Sequence, residues 1–136
     1  MPILVFCPGC FDLLHVGHVR LLQRAREMGD RLIVGLNTDE SVRLQGKGPD
    51  RPLIDYESRR EILEAIRWVD EVIPIVDRTP CELVRNLRPE ILVKGPGYAR
   101  DIMPEAAIVE SYGGRVVFLD GPEVSTTRLV TKFRGA

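Results

Sequence analysis

Cysteine is scarce and odd in number: Cys7, Cys10 and Cys81 are the three in 136 residues, which argues against a disulfide framework. Cys7 and Cys10 form a C-x-x-C, but no second such pair completes a zinc site. Phe11, Asp12, Leu13 and Leu14 separate the pair from the next helix, whereas a redox pair sits at a helix start. The segment is read instead as backbone shape, with Pro8-Gly9 making a tight turn that exposes amide N–H groups. Net charge is also nearly absent, at −1. That excludes a general affinity for nucleic acid or anionic membrane, and an anionic ligand must be held by local positive groups. No apolar run approaches the roughly 20 residues of a membrane span, and Met1 to Phe6 carries no basic n-region. Cytoplasm is the expected compartment. Two nucleotide signatures are missing as well: there is no G-x-x-x-x-G-K-[ST], and no G-x-G-x-x-G follows the first strand.

What is present suits one soluble globular domain spanning residues 1–136, with 44% apolar and 29% charged residues. Short β-branched or leucine-rich runs predict strands at Ile3–Cys7, Arg31–Leu36, Glu71–Val76, Ile91–Lys94 and Arg115–Leu119. Between them, helical patterns cover Val19–Met28, Thr38–Leu44, Tyr56–Trp68, Cys81–Leu87 and Pro104–Tyr112, with a last helix from about Thr126. Gly29-Asp30 closes the first helix, Asp55 caps the third, and Gly113-Gly114 closes the fifth. Alternation at this spacing predicts an α/β, Rossmann-like, five-stranded parallel sheet sandwiched by helices. Ligands of such sheets bind beyond the carboxyl ends of the strands. The loops that follow strands one, two, four and five carry His15 and His18, Asn37-Thr38-Asp39, Gly95 to Tyr98, and Ser125-Thr126-Thr127.

His15-Val16-Gly17-His18 holds both histidines of the chain. His15 falls just before the first helix, which begins near Gly17, and His18 falls in its first turn, where helix dipole and amide N–H groups favour an anion. Two imidazoles there can hydrogen-bond or protonate a phosphate oxygen. A metal pair lacks the nearby acidic third ligand, and a role as helix-start or core residues remains the bland alternative. Ser125, Thr126 and Thr127 at a helix start read as a second phosphate cradle or as an ordinary N-cap. Lys47, in the loop of Gly46 and Gly48, reads as a mobile cation or as a solvated turn residue.

The run from Gly9 through Cys10, Phe11 and Asp12 to His15 and His18 resembles the signature of the nucleotidyltransferase (cytidylyltransferase-like) superfamily. The likeness continues through Gly29 to Val34, Asn37-Thr38-Asp39, Glu57-Ser58-Arg59, Val69 to Val72, Leu92 to Gly95 and Ser125 to Thr127, nearly the whole chain. Heptose-1-phosphate adenylyltransferases, often the second domain of a bifunctional enzyme with a sugar kinase, carry N-G-C-F-D, D-T-P, L-V-K-G-G-D-Y and S-T-T. This chain has Pro8 to Asp12, Arg78-Thr79-Pro80 after Asp77, and Leu92 to Tyr98. Glycerol-3-phosphate cytidylyltransferases are the next most similar, but Asp120 stands where they have the arginine of R-T-E-G. Departures from the heptose pattern are Pro8 for asparagine, and Pro96-Gly97 for the G-D pair.

The resemblance implies transfer of a nucleoside monophosphate, from ATP before CTP, to a sugar phosphate such as heptose 1-phosphate, with release of pyrophosphate. The alternatives are a CTP-dependent enzyme for a polyol or alcohol phosphate, and a binding domain without turnover. It also implies roles. His15, His18 and Lys47 would act on the transferring phosphate. Gly9, Cys10, Phe11, Gly17, Arg59, Lys94, Gly95, Tyr98, Ser125, Thr126 and Thr127 would contact the nucleotide. Arg59 is also an i+4 neighbour of Asp55, so a helix-surface ion pair is its alternative. Mg²⁺ is expected with the triphosphate rather than in a protein site, and Asp12 is either near it or a turn residue. A homodimer is implied too, with Trp68 as an apolar hint. The partners are a nucleoside triphosphate and a small phosphorylated substrate, without nucleic acid or membrane.

Overall fold

The computed structural model describes residues 2–46, 48–95 and 103–119. Five parallel strands, β1 (Leu4–Gly9), β2 (Arg31–Asn37), β3 (Glu71–Ile75), β4 (Ile91–Lys94) and β5 (Arg115–Phe118), lie in the order β3-β2-β1-β4-β5. The helices are α1 (Val16–Glu27), α2 (Asp39–Leu44), α3 (Tyr56–Glu64), α4 (Cys81–Leu87) and α5 (Pro104–Ser111). The predicted α/β sandwich is therefore present. The final helix expected at Thr126 lies outside the described residues. Among those residues no helix is long and apolar enough to cross a membrane.

Side-chain alternation along the strands builds a core on each face. Val5 and Cys7 of β1 pack with Leu22 and Ala25 of α1 and Leu63 of α3. Phe6, between them in sequence, packs on the opposite face with Val84 of α4 and Ala106 and Val109 of α5. Burial on both faces explains why β1 and β2 read as continuous apolar runs. The strand order reverses between β1 and β4, which opens a crevice at the carboxyl ends of those two strands.

Gly35 of β2 is set by this packing. A Cβ there would lie 2.6 Å from Cζ and 2.9 Å from Cε1 of Phe6, whose ring is fully buried. Gly35→Ala is expected to destabilise the fold by about 1–3 kcal/mol, as overpacking does, seen as a lower midpoint in urea unfolding.

Two boundaries differ from expectation. β1 continues through Pro8 and Gly9, which pair with Gly35 and Leu36 of β2, so the anticipated Pro8-Gly9 turn does not form. Pro8 is tolerated because β1 pairs with β4 only at Val5 and Phe6, leaving Pro8 beyond that ladder. The turn comes later, with positive φ at Phe11 (47°) and Leu13 (51°). α3 ends at Glu64 rather than Trp68, closing through Ala65 and Ile66 amides onto the carbonyls of Ile62 and Leu63. Trp68 is thus in the connection to β3, partly covered by the Arg67 guanidinium 4.9 Å from its ring centroid.

Candidate active site

The β1–α1 loop delivers the histidines, and the helix start is built from their rings. His15 is the N-cap, extended at φ −137° and ψ 179°. Its Nδ1 accepts from the Gly17 amide at 3.1 Å, and the Nδ1 of His18 accepts from the His15 amide at 3.1 Å. This reciprocal arrangement is a capping box made of imidazoles. The rings stack with centroids 4.0 Å apart and 29° between planes, and Phe11 lies 5.3 Å from the His18 ring.

The caps assign the tautomers. A nitrogen that accepts a hydrogen bond carries no proton, so in each neutral ring the proton sits on Nε2. Burial holds the His15 imidazole below its ordinary pKa, which keeps it neutral at pH 7. The His15 Nε2 is buried and has no hydrogen-bond partner among the described residues. Among those residues the donor has no acceptor, and the first turn of α1 carries no acidic residue to supply one. The Gly17 amide, expected to face an anion, is instead taken by the His15 ring. What this helix start offers is imidazole N–H more than bare backbone.

Arg59 is not the helix-surface residue that its spacing from Asp55 allows. Its side chain is wholly buried, pairs with Asp39 at 2.7 Å, and does not form the anticipated surface pair with Asp55. Its guanidinium also donates to the carbonyls of Cys10 (2.7 Å), Asn37 (2.8 Å) and Ile54 (2.8 Å). It therefore joins the β1–α1 loop, the end of β2 and the start of α3, and positions the site from beneath it. Asp55 caps α3 by accepting from the Ser58 amide at 2.8 Å. Asp12 is also structural. Its buried carboxylate accepts from Arg51 Nε at 2.9 Å and from the amides of Leu53 (2.8 Å) and Ile54 (3.0 Å).

Cys10 is buried with its thiol toward Asn37 Oδ1 (3.6 Å) and Gln45 Oε1 (3.5 Å), and Cys7 is buried and unpaired. Burial pushes the Cys7 thiol up to about 12, with Lys94 opposing in part, so it is no thiolate at pH 7. Phe11 packs its ring over Gly9, where a Cβ would come within 2.9 Å of Phe11 Cε2. Gly95 lies against Leu21 of α1, 3.4 Å from where its Cβ would be.

Beyond the ends of β1 to β4 lies a cleft of about 320 Å³, within the size range of small-molecule sites. Gly9, Asn37, Gln45, Arg78, Lys94 and Glu105 are among the residues lining it, and the histidines are not. Lys94 pairs there with Glu105 of α5 at 3.3 Å, both side chains buried. Asn37 is held by its amide to Ser41 Oγ (2.9 Å), which donates to the Asp77 carbonyl (2.6 Å). Sequence reasoning placed the Asn37 loop at this end of the sheet and marked Arg78 only as part of a family motif, with no site role, and did not single out Gln45 or Glu105. The signal for Asn37 was its position closing a strand. Nothing local marks Glu105, an acidic residue in a first helical turn. Of the expected site, Gly9, Cys10, Phe11, His15, Gly17 and His18 come together on one loop and helix start. Lys47, Tyr98, Ser125, Thr126 and Thr127 lie outside the described residues.

Against known proteins, the family model described as cytidylyltransferase-like matches residues 6–131. The chain is 52% identical over 134 residues to the bifunctional protein HldE of Gluconobacter oxydans, covering 97% of this chain and 28% of that protein. It is 48% identical over 132 residues to the D-beta-D-heptose 1-phosphate adenylyltransferase of Bordetella bronchiseptica, covering 96% of this chain and 82% of the relative. The chain thus spans only about a quarter of the length of the bifunctional relatives it matches. A solved structure described as the lipopolysaccharide core biosynthesis protein of Thermoplasma volcanium superposes with a TM-score of 0.74. It is 26% identical, with 92% of this chain and 100% of that one covered.

Proposed function

Because the chain belongs to the cytidylyltransferase-like family, we propose that it transfers a nucleoside monophosphate from a triphosphate, ATP in the first instance, to heptose 1-phosphate. The acceptor's phosphate oxygen forms a bond to the α-phosphorus, the bond from that phosphorus to the β-bridging oxygen breaks, and pyrophosphate leaves with the electron pair. No protein nucleophile enters, so the protein's work is alignment and stabilisation of the charge that builds on the phosphoryl oxygens.

The observation that carries this reading is the His15 Nε2, a buried donor with no partner among the described residues, beside its stacked partner at the positive end of α1. A donor of this kind suits a phosphate oxygen and does not suit a cation. Neutral imidazoles fixed at Nδ1 are already in place when charge develops, so little reorganisation accompanies the reaction. Lys47 and the Ser125, Thr126 and Thr127 hydroxyls are assigned to the phosphates on the family likeness alone. Mg²⁺ bound with the triphosphate would supply charge neutralisation at the leaving pyrophosphate, while Asp12 holds the loop through Arg51 and the amides of Leu53 and Ile54.

Pyrophosphate release with ATP, CTP, GTP and UTP, each against heptose 1-phosphate and glycerol 3-phosphate, tests the proposal. Release with ATP and heptose 1-phosphate in large excess over other pairings is expected. A preference for CTP and glycerol 3-phosphate would move the chain to the cytidylyltransferase branch. Binding without release from any pairing would leave a nucleotide-binding domain in place of an enzyme.

A further inference from the structure

Lys94 and Glu105 form an ion pair with side chains 7% and 4% exposed. Removing two charges from water costs several kcal/mol per ion, and apolar residues of similar volume are often as stable or more so. A buried pair of this kind is therefore a poor stabiliser, and it is not sealed in the core. Both residues line the cleft at the ends of β1 to β4. Among the described residues Lys94 is the one group paired with Glu105, whereas a carboxylate can accept about four hydrogen bonds. Among the described residues, acceptor capacity is thus left over on a buried carboxylate at a polar cavity.

We propose that Lys94 and Glu105 are the specificity-determining residues of the acceptor subsite, taking hydroxyl groups of the sugar phosphate in the cleft; this rests on the nucleotidyl-transfer reading. A hydroxyl donates once and accepts twice, so one placed at this pair gives its proton to Glu105 and receives from the Lys94 ammonium. The amide of Asn37, fixed through Ser41, adds a further polar edge to the same wall. The opposite charges of the pair cancel, and Arg78 at the exposed rim gives the cleft a positive balance that suits an anionic sugar phosphate. Gly9 lines the cleft and leads directly into the loop that carries His15, so a ligand in the cleft abuts the phosphate-transfer site. The likeness to the family had assigned Lys94 to the nucleotide. The cleft assigns it to the acceptor.

The test compares Glu105→Gln with the double variant Lys94→Met/Glu105→Leu in the full chain, varying D-β-D-heptose 1-phosphate and ATP in turn. The single change strands the lysine charge; the double change removes both charges and any such penalty. Both variants are expected to raise the KM for heptose 1-phosphate about tenfold or more, as loss of charged hydrogen bonds does, with KM for ATP within about twofold. A double variant with wild-type KM for heptose 1-phosphate would show the pair to be structural only. A rise confined to the KM for ATP would place the nucleotide in the cleft, which also overturns the inference. Hydrogen–deuterium exchange on the unaltered protein answers independently of variant folding and of turnover. Heptose 1-phosphate alone is expected to slow exchange at residues 92–95 and 104–107, and ATP alone is not. Absence of that protection contradicts the acceptor assignment, whereas absence of pyrophosphate release contradicts the transfer reading.

Discussion

His18→Asn is expected to lower kcat by about 10²–10³-fold, the usual loss when one preorganised donor to a developing oxyanion is removed. Affinity for ATP should change by no more than about threefold. Asparagine is the informative replacement because its side-chain carbonyl can take over from Nδ1, which accepts from the His15 amide at 3.1 Å. The capping box then survives and only the Nε2 donor is lost. His18→Ala removes both functions and should add about 1 kcal/mol of instability from the lost cap. Single-turnover rates and calorimetric ATP binding separate the two effects. Equal losses in rate and affinity would mean that His18 merely binds the ground state.

Arg59→Met is expected to destabilise the protein by about 3–5 kcal/mol, the range for breaking a buried charged network from one side. Methionine fills much of the volume but leaves the carbonyls of Cys10, Asn37 and Ile54 without their shared donor. Lysine is a poor substitute, since an ammonium cannot reproduce the planar fork that reaches three segments at once. Urea unfolding measures the loss, and activity should fall with it because the Cys10 carbonyl belongs to the loop that delivers His15. A stability change below about 1 kcal/mol, accompanied by weakened ATP binding, would instead make Arg59 a direct nucleotide contact.

These two residues show what the sequence makes legible. The order and type of elements follow from local periodicity, since alternation in Val5-Phe6-Cys7 sets opposite core faces within a few residues. The histidines were legible because a capping box is also local, spanning His15 to His18. The position of both rings at that helix start could be anticipated, although not that the His15 ring would occupy the Gly17 amide. Arg59 was visible as a cation, but its burial depends on carbonyls at positions 10, 37 and 54, which no sequence window contains. Glu105 was invisible for the same reason. Only the fold brings a first-turn acid of α5 onto the last residue of β4. The end of α3 was misjudged because apolar spacing persists through Ile66 and Trp68 while the backbone closes at Ala65, without a glycine to mark it.

Transfer itself is tested most directly with ATP labelled at the α-phosphorus, incubated with the unaltered protein, Mg²⁺ and heptose 1-phosphate. The label is expected in one new sugar–nucleotide species, formed mole for mole with unlabelled pyrophosphate. Label that stays in ATP, or that emerges as AMP whether or not the sugar phosphate is present, would contradict a site in which two neutral imidazoles steady an α-phosphate for attack by another phosphate.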